Sequence, residues 1–160
     1  MAVQNKQWHF NVGLPDGVDA DTRVRIAADA IATVVSRTKS KKNIWGRKFV
    51  RYTKAYAKRK GVGRTSVNLT LSNDMLTSIR LLNRRKNNLK IGFVAGSKEN
   101  AKAEGNMLGT YGKPTPVQSP RKFLGMTSKE IVALVKRHAP EFTRSEILDA
   151  QTNPTIATTK

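Results

Sequence analysis

Cysteine is absent from the 160 residues. Its absence excludes disulfide staples, thiolate nucleophiles and every Cys-ligated zinc or iron–sulfur site. Histidine occurs twice, at His9 and His138, with nothing like the His-x-x-x-His spacing of a metal pair. Acids are scarce: 11 Asp and Glu stand against 30 Lys and Arg, a formal charge of +19. No run of about 18 apolar residues occurs, so no segment is expected to span a membrane. Met1 to Phe10 carries no apolar stretch of signal-peptide type. The expectation is a soluble chain made in the cytoplasm, with a domain over residues 1–150 and a flexible tail over 151–160. A chain of 160 residues can bury about 70% of its unfolded surface, and 38% hydrophobic residues are enough for a core.

What the chain has in excess is positive charge, unevenly placed. Between Asp29 and Asp74 no acid appears, and this gap holds Arg37, Lys39, Lys41, Lys42, Arg47, Lys48, Arg51, Lys54, Lys58, Arg59, Lys60 and Arg64. A second cluster, Arg84-Arg85-Lys86, precedes Asn87-Asn88. A solvated lysine-rich face is the plain reading of a charge run. The lack of any compensating carboxylate favours contact with a nucleic-acid backbone. The candidate contact residues are Lys39, Lys41, Lys42, Arg47, Lys48, Arg51, Lys54, Lys58, Arg59, Arg84, Arg85 and Lys86.

Hydropathy patterning predicts an α+β fold: a long N-terminal helix packed on a small antiparallel sheet, with further short helices. Gln7 to Val12 reads as a first strand, closed by the turn cluster Gly13-Leu14-Pro15-Asp16-Gly17. Asp19, Asp21 and Thr22 offer a cap and first-turn negative charge to a helix reaching about Arg37. Its expected apolar face is Val24, Ala27, Ala28, Ile31, Val34 and Val35. Residues 36–43 read as irregular. Trp45, Phe49, Tyr52 and Tyr56 are spaced by four, three and four. If the segment is helical they form one stripe, opposite Arg47, Arg51, Lys54 and Lys58. Aromatics in such a segment could stack on bases, but helical spacing favours core anchors, and Gly46 signals that the first turn could be a loop.

Further on, Gly61 to Ser66 matches neither phosphate-loop pattern and reads as a turn. Val67 to Ser72 alternates like a half-buried strand. Met75 to Leu82 and Leu89 to Val94 read as hairpin arms with the basic tip between them, although the first arm is equally helical by periodicity. Lys98 to Leu108 has helical composition, ended by Gly109, Tyr111 and Gly112, and Pro114, Pro116 and Pro120 keep the following stretch extended. Arg121 to Met126 is expected to close the sheet. Thr127 with Glu130 has capping-box spacing before a helix carrying Ile131, Leu134, Val135 and His138 on one face. Pro140 ends it, and Thr143 with Glu146 could open another short turn.

Enzyme chemistry finds no constellation. His9 reads as a sheet-surface residue, and His138 as a packing or helix-dipole residue. Asp16, Asp19 and Asp21 lack calcium-loop spacing and suit capping. Glu99 and Glu104 are not marked as an acid–base pair, and no serine has a base or oxyanion motif beside it. The chain is therefore expected to be non-enzymatic, with no cofactor and no metal.

The order of motifs carries a resemblance. Tyr52-Thr53-Lys54-Ala55-Tyr56-Ala57-Lys58-Arg59-Lys60-Gly61 ends the aromatic–basic segment. Leu69-Thr70-Leu71-Ser72-Asn73-Asp74-Met75-Leu76-Thr77-Ser78-Ile79 opens the hairpin. Tyr111-Gly112 ends the next helical segment, and Pro120-Arg121-Lys122-Phe123-Leu124-Gly125-Met126-Thr127 precedes the last long helix. Over roughly residues 19 to 138 this resembles the tailed-phage tail-completion, or virion morphogenesis, family of head–tail joining proteins. The resemblance implies a structural subunit of the neck, assembled in the host cytoplasm and residing in the virion. It also implies a homo-oligomeric ring, sixfold or twelvefold, between portal or adaptor and tail proteins, with packaged double-stranded DNA in its lumen. Basic segments lining that lumen would hold phosphates without reading sequence. The charge alone would serve equally for a monomeric, sequence-nonspecific DNA- or RNA-binding protein of ribosomal type.

Overall fold

The computed structural model describes residues 7–65, 67, 74–109, 120–151 and 158–159. The element order is β1 (Trp8–Gly13), α1 (Ala20–Lys39), α2 (Lys54–Lys60), α3 (Asp74–Thr77), β2 (Arg80–Arg85), β3 (Asn88–Gly92), α4 (Lys98–Leu108), α5 (Ser128–His138), α6 (Arg144–Asp149) and β4 (Thr158–Thr159). The mixture of a 20-residue helix, a small antiparallel sheet and short helices is α+β. Val67 is buried; the rest of the strand expected over residues 67–72, and the proline-rich stretch except Pro120, lie outside the described residues.

The sheet runs in the order β2-β3-β1-β4, every pairing antiparallel. Phe10 faces Ile91 and Val12 faces Leu89, apolar cross-strand pairs that are fully buried. His9 pairs with Gly92, where any side chain would strike the Trp8 carbonyl oxygen 2.2 Å away, so only glycine fits. His9 is not a surface residue: β1 is an inner strand, and His9 is buried with its Nδ1 3.0 Å from the Gln7 carbonyl oxygen. At the other end of β1 the Gln151 side chain accepts from the Gly13 N–H and donates to the Gly13 carbonyl. Thr158–Thr159, within the expected tail, pair with Trp8 and His9.

Asp19 caps α1, accepting from the Thr22 N–H at 2.8 Å. The buried stripe is Thr22, Ile26, Ala27, Ala30, Val34 and Thr38, while Val24 and Ala28 are exposed and Ile31 and Val35 only partly buried. Apolar residues surround this helix so fully that periodicity admits more than one stripe, and packing against β2, β3 and α5 selects it.

The first hairpin arm divides. Its first four residues form α3, with Met75 and Leu76 buried, and the strand begins only at Arg80. Lys86 and Asn87 make the turn. The strand expected over 121–126 does not form among the described residues: Phe123 to Met126 are buried, Gly125 makes only a single bridge, and several carbonyls of the stretch are bonded elsewhere. The Lys122 carbonyl accepts from Ile44 N–H (2.9 Å), and those of Phe123 and Gly125 accept from Arg37 Nη2 (2.9 and 2.7 Å). Arg37 Nη1 donates to Glu130 Oε2 at 2.6 Å. Thr127 caps α5 by accepting from the Glu130 N–H, while the Glu130 carboxylate reaches to Arg37. The complete reciprocal capping box belongs to α6, between Thr143 and Glu146.

A second α1–α5 link joins Asp29 Oδ2 to Arg137 Nη1 (2.6 Å) and His138 Nε2 (3.0 Å). The hydrogen bond from His138, then that from Arg137, holds the Asp29 carboxyl below its ordinary value, and burial opposes this. Because protonation is harder in the folded state, the link stabilises above about pH 4 and is lost as pH falls through the depressed value. Urea unfolding between pH 3 and 6 checks this: Asp29→Asn should lower stability at pH 6 and show a shallower acid decline than the parent.

The end of α1 is strained. The Lys41 N–H donates to Thr38 O and the Lys42 N–H to Arg37 O, a Schellman arrangement that places Lys41 at φ +66. The ends of α2 and α4 use glycine for the same conformation, at Gly61 and Gly109. Lys41→Gly should therefore raise stability by about 1 kcal/mol and the thermal midpoint by about 2–4 °C, measured by calorimetry.

Candidate nucleic-acid interface

The acid-free segment is not the helix that its aromatic spacing allows. Asn43 intervenes: its Oδ1 accepts from the N–H groups of both Trp45 and Arg47, each at 3.0 Å, offering the backbone an alternative to helical bonding. The Asn43 N–H donates to Arg47 O, Lys42 bridges Lys48, and Gly46 takes φ +76. The result is a closed turn protruding beyond α1. Helix begins only at Lys54, where Thr53 accepts from the Tyr56 N–H at 3.2 Å.

Aromatic and basic residues part company in this segment. Phe49 and Tyr52 are buried in the core and Tyr56 packs partly buried against it, as core anchors should. Trp45 departs from that expectation: it is 50% exposed, while Ile44 beside it is buried and anchors the turn. Tyr52 and Tyr56 rings lie 4.8 Å apart, with the Arg121 guanidinium 5.0 Å from the Tyr52 ring and that of Arg59 5.3 Å from Tyr56. Burial pushes the Tyr52 hydroxyl up, with the Arg121 charge opposing. Burial likewise lowers the Arg121 guanidinium from its ordinary value, and the two tyrosines oppose it. Arg121 is only 3% exposed and helps clamp the basic segment to residues 121–126.

Nine of the predicted contact residues, Lys39, Lys41, Lys42, Arg47, Lys48, Arg51, Lys54, Lys58 and Arg59, lie in this segment and all are exposed. The ion pairs among the described residues all sit at the α1–α5 contact and involve none of the nine. Two other bases of the acid-free gap have structural duties. Arg37 is the buried tie described above, and Arg64 Nε donates to the Tyr52 carbonyl at 3.0 Å.

Arg85 and Lys86 are exposed too, but the fold does not bring them to the same place; the side chain of Arg84 lies outside the described set. The hairpin turn packs beside the start of α1, with Asn87 Nδ2 donating to Asp16 and the Leu14 N–H to Asn87 O. The segment with the nine cations follows the opposite end of that helix, which is about 30 Å long at 1.5 Å per residue. The candidate interface is thus one dense cationic segment and a separate hairpin tip.

Sequence reasoning missed Trp45 as a surface group and omitted Lys122, whose Nζ lies 5.9 Å from the Trp45 ring centre. The pairing of Asn43 with Gly46 was the available signal for a turn. Among the described residues no group of three or more His, Asp and Glu side chains could hold a metal ion, and no helix is long and apolar enough to cross a membrane.

Arg121→Ala should cost about 2 kcal/mol, since it removes a desolvated cation–π contact and leaves a cavity under Tyr52. Hydrogen exchange should show faster amide exchange over residues 49–57, with the β1–β3 amides still protected.

Comparison with protein-family models, curated proteins and solved structures found no match to this chain.

Proposed function

We propose that this chain is a structural subunit of a tailed-phage head–tail connector. In this reading it forms a neck or tail-completion ring joining portal complex to tail, and its basic segment contacts packaged double-stranded DNA. The observation that carries the DNA contact is the run of nine exposed cations over residues 39–59, without one acid in the segment. A backbone of regularly spaced phosphates is the partner that matches such a surface, because each neutralised phosphate releases a condensed counterion. The connector assignment is supported by the order of the motifs at residues 52–61, 69–79, 111–112 and 120–127. In this reading the contact supplies affinity without sequence readout.

The ring follows from the same resemblance. Copies related by rotation repeat the cationic segment, so a lumen lined by it multiplies the charge without further sequence. A second reading, a monomeric nucleic-acid binder, is favoured by the exposed Trp45, which a purely electrostatic lining does not require.

Electron microscopy and sedimentation of the purified chain, alone and with portal or tail fractions, test the assignment. Rings or stable co-assembly support it, and a monomer absent from particles overturns it. Duplex binding should weaken steeply with salt. The combined substitution Arg51→Glu, Lys54→Glu and Lys58→Glu should reduce the slope of log affinity against log salt by about 2–3, since each lost phosphate contact removes about 0.9. Ring assembly should survive these changes; retention of the full slope would remove this segment from the interface.

A further inference from the structure

We propose that the turn bridged by Lys42 and Lys48 is a base-stacking site for single-stranded DNA, with Trp45 as its platform. This goes beyond the duplex contact proposed above and rests on the reading that the basic segment meets DNA.

Trp45 is held out, not left out. The backbone on both sides of it is tied to Asn43, through the 3.0 Å bonds from Trp45 and Arg47 to Oδ1 and the Gly46 N–H bond to Asn43 O. Ile44, one residue earlier, is buried and its N–H is bonded to Lys122 O. The indole therefore projects from a fixed turn and loses little freedom when something covers it. The Lys122 ammonium lies over the ring, and half of the residue remains exposed. Lys41, Lys42, Arg47 and Lys48 lie on the same turn or at its edge, exposed and in no ion pair among the described residues.

This surroundings decides the occupant. An apolar protein surface over the indole would strip water from several unpaired cations, which is costly. Duplex DNA offers phosphates, but its base faces are already stacked. A single strand offers both halves at once: phosphates for the lysines and an open π face for the indole. The other aromatics of the segment cannot serve, because Tyr52 is buried and Tyr56 is covered by Tyr52 and Arg59. Trp8, the second tryptophan, is buried in the sheet and supplies an internal fluorescence reference.

The test uses the full chain, an oligothymidylate of about ten nucleotides and a duplex of equal length. The oligothymidylate should quench part of the tryptophan emission. In Trp45→Ala the remaining Trp8 emission should not respond, and single-strand affinity should fall about 5- to 150-fold, the range for losing one stacked base. Duplex affinity should change by no more than about twofold, and Trp45→Phe should retain part of the single-strand affinity. Equal single-strand affinity in Trp45→Ala and the parent, with normal salt-sensitive duplex binding, overturns the stacking site alone. It would leave Trp45 as a contact for another protein surface. Failure of both nucleic acids to bind at low salt overturns the DNA reading itself.

Discussion

The guanidinium of Arg37 ties the end of α1 to residues 123–130, a part of the chain distant in sequence. It sits on the last turn of α1, with its side chain only 9% exposed, and reaches the Phe123 and Gly125 carbonyls and the Glu130 carboxylate. Burial lowers its affinity for the proton, and Glu130 opposes that shift. A cation placed there needs its donors satisfied, and two backbone carbonyls with one carboxylate serve its two Nη groups. The path of residues 121–126 follows from this. Their backbone turns toward the end of α1 and does not join the sheet, and the adjoining Thr127 starts α5 beside α1.

From that tie the cationic segment takes its position. The Schellman end of α1 directs the chain outward at Lys41, and the Ile44 N–H fastens the following turn to Lys122. Phe49 and Tyr52 then return the chain to the core, and Arg121 closes over Tyr52. Each inward anchor is apolar or aromatic, and every charged residue between anchors is Lys or Arg. Like charges on neighbouring exposed positions repel one another. The buried aromatics hold the segment in place against that repulsion, and its unsatisfied field is what makes it suited to a polyanion. A structure in which these lysines were paired with acids would be more self-contained and less able to attract phosphate.

The two clusters of the charge differ in kind. The hairpin tip lies beside Asp16, at the start of α1, whereas the long segment at the far end of the helix has no acid near it in sequence. Charge density and exposure make the long segment the stronger candidate for phosphate contact, and the tip, hydrogen-bonded through Asn87, is built more like an ordinary solvent-facing turn.

The sequence by itself determined the α+β class, the long helix opening near Asp19 to Thr22, the existence of the hairpin though not its turn, which falls at Lys86 and Asn87 with Arg84 and Arg85 in β2, the helix at 98–108, and the cationic segment with its exposure. These depend on caps, turn residues and local charge, which act within a few residues. It also indicated that Phe49, Tyr52 and Tyr56 face inward. Only the tertiary structure decided which stripe of α1 is buried, that His9 is interior, that residues 121–126 are held by Arg37 and Ile44 outside the sheet, and that Trp45 stands outside while its aromatic neighbours do not. Each of these turns on a partner far along the chain: β2, β3 and α5 for the helix face, β3 and β4 for His9, Arg37 for the carbonyls of 123 and 125. Periodicity can propose such contacts but cannot choose among them, because the energy that selects one lies in burial and hydrogen bonding between segments that only the folded chain brings together.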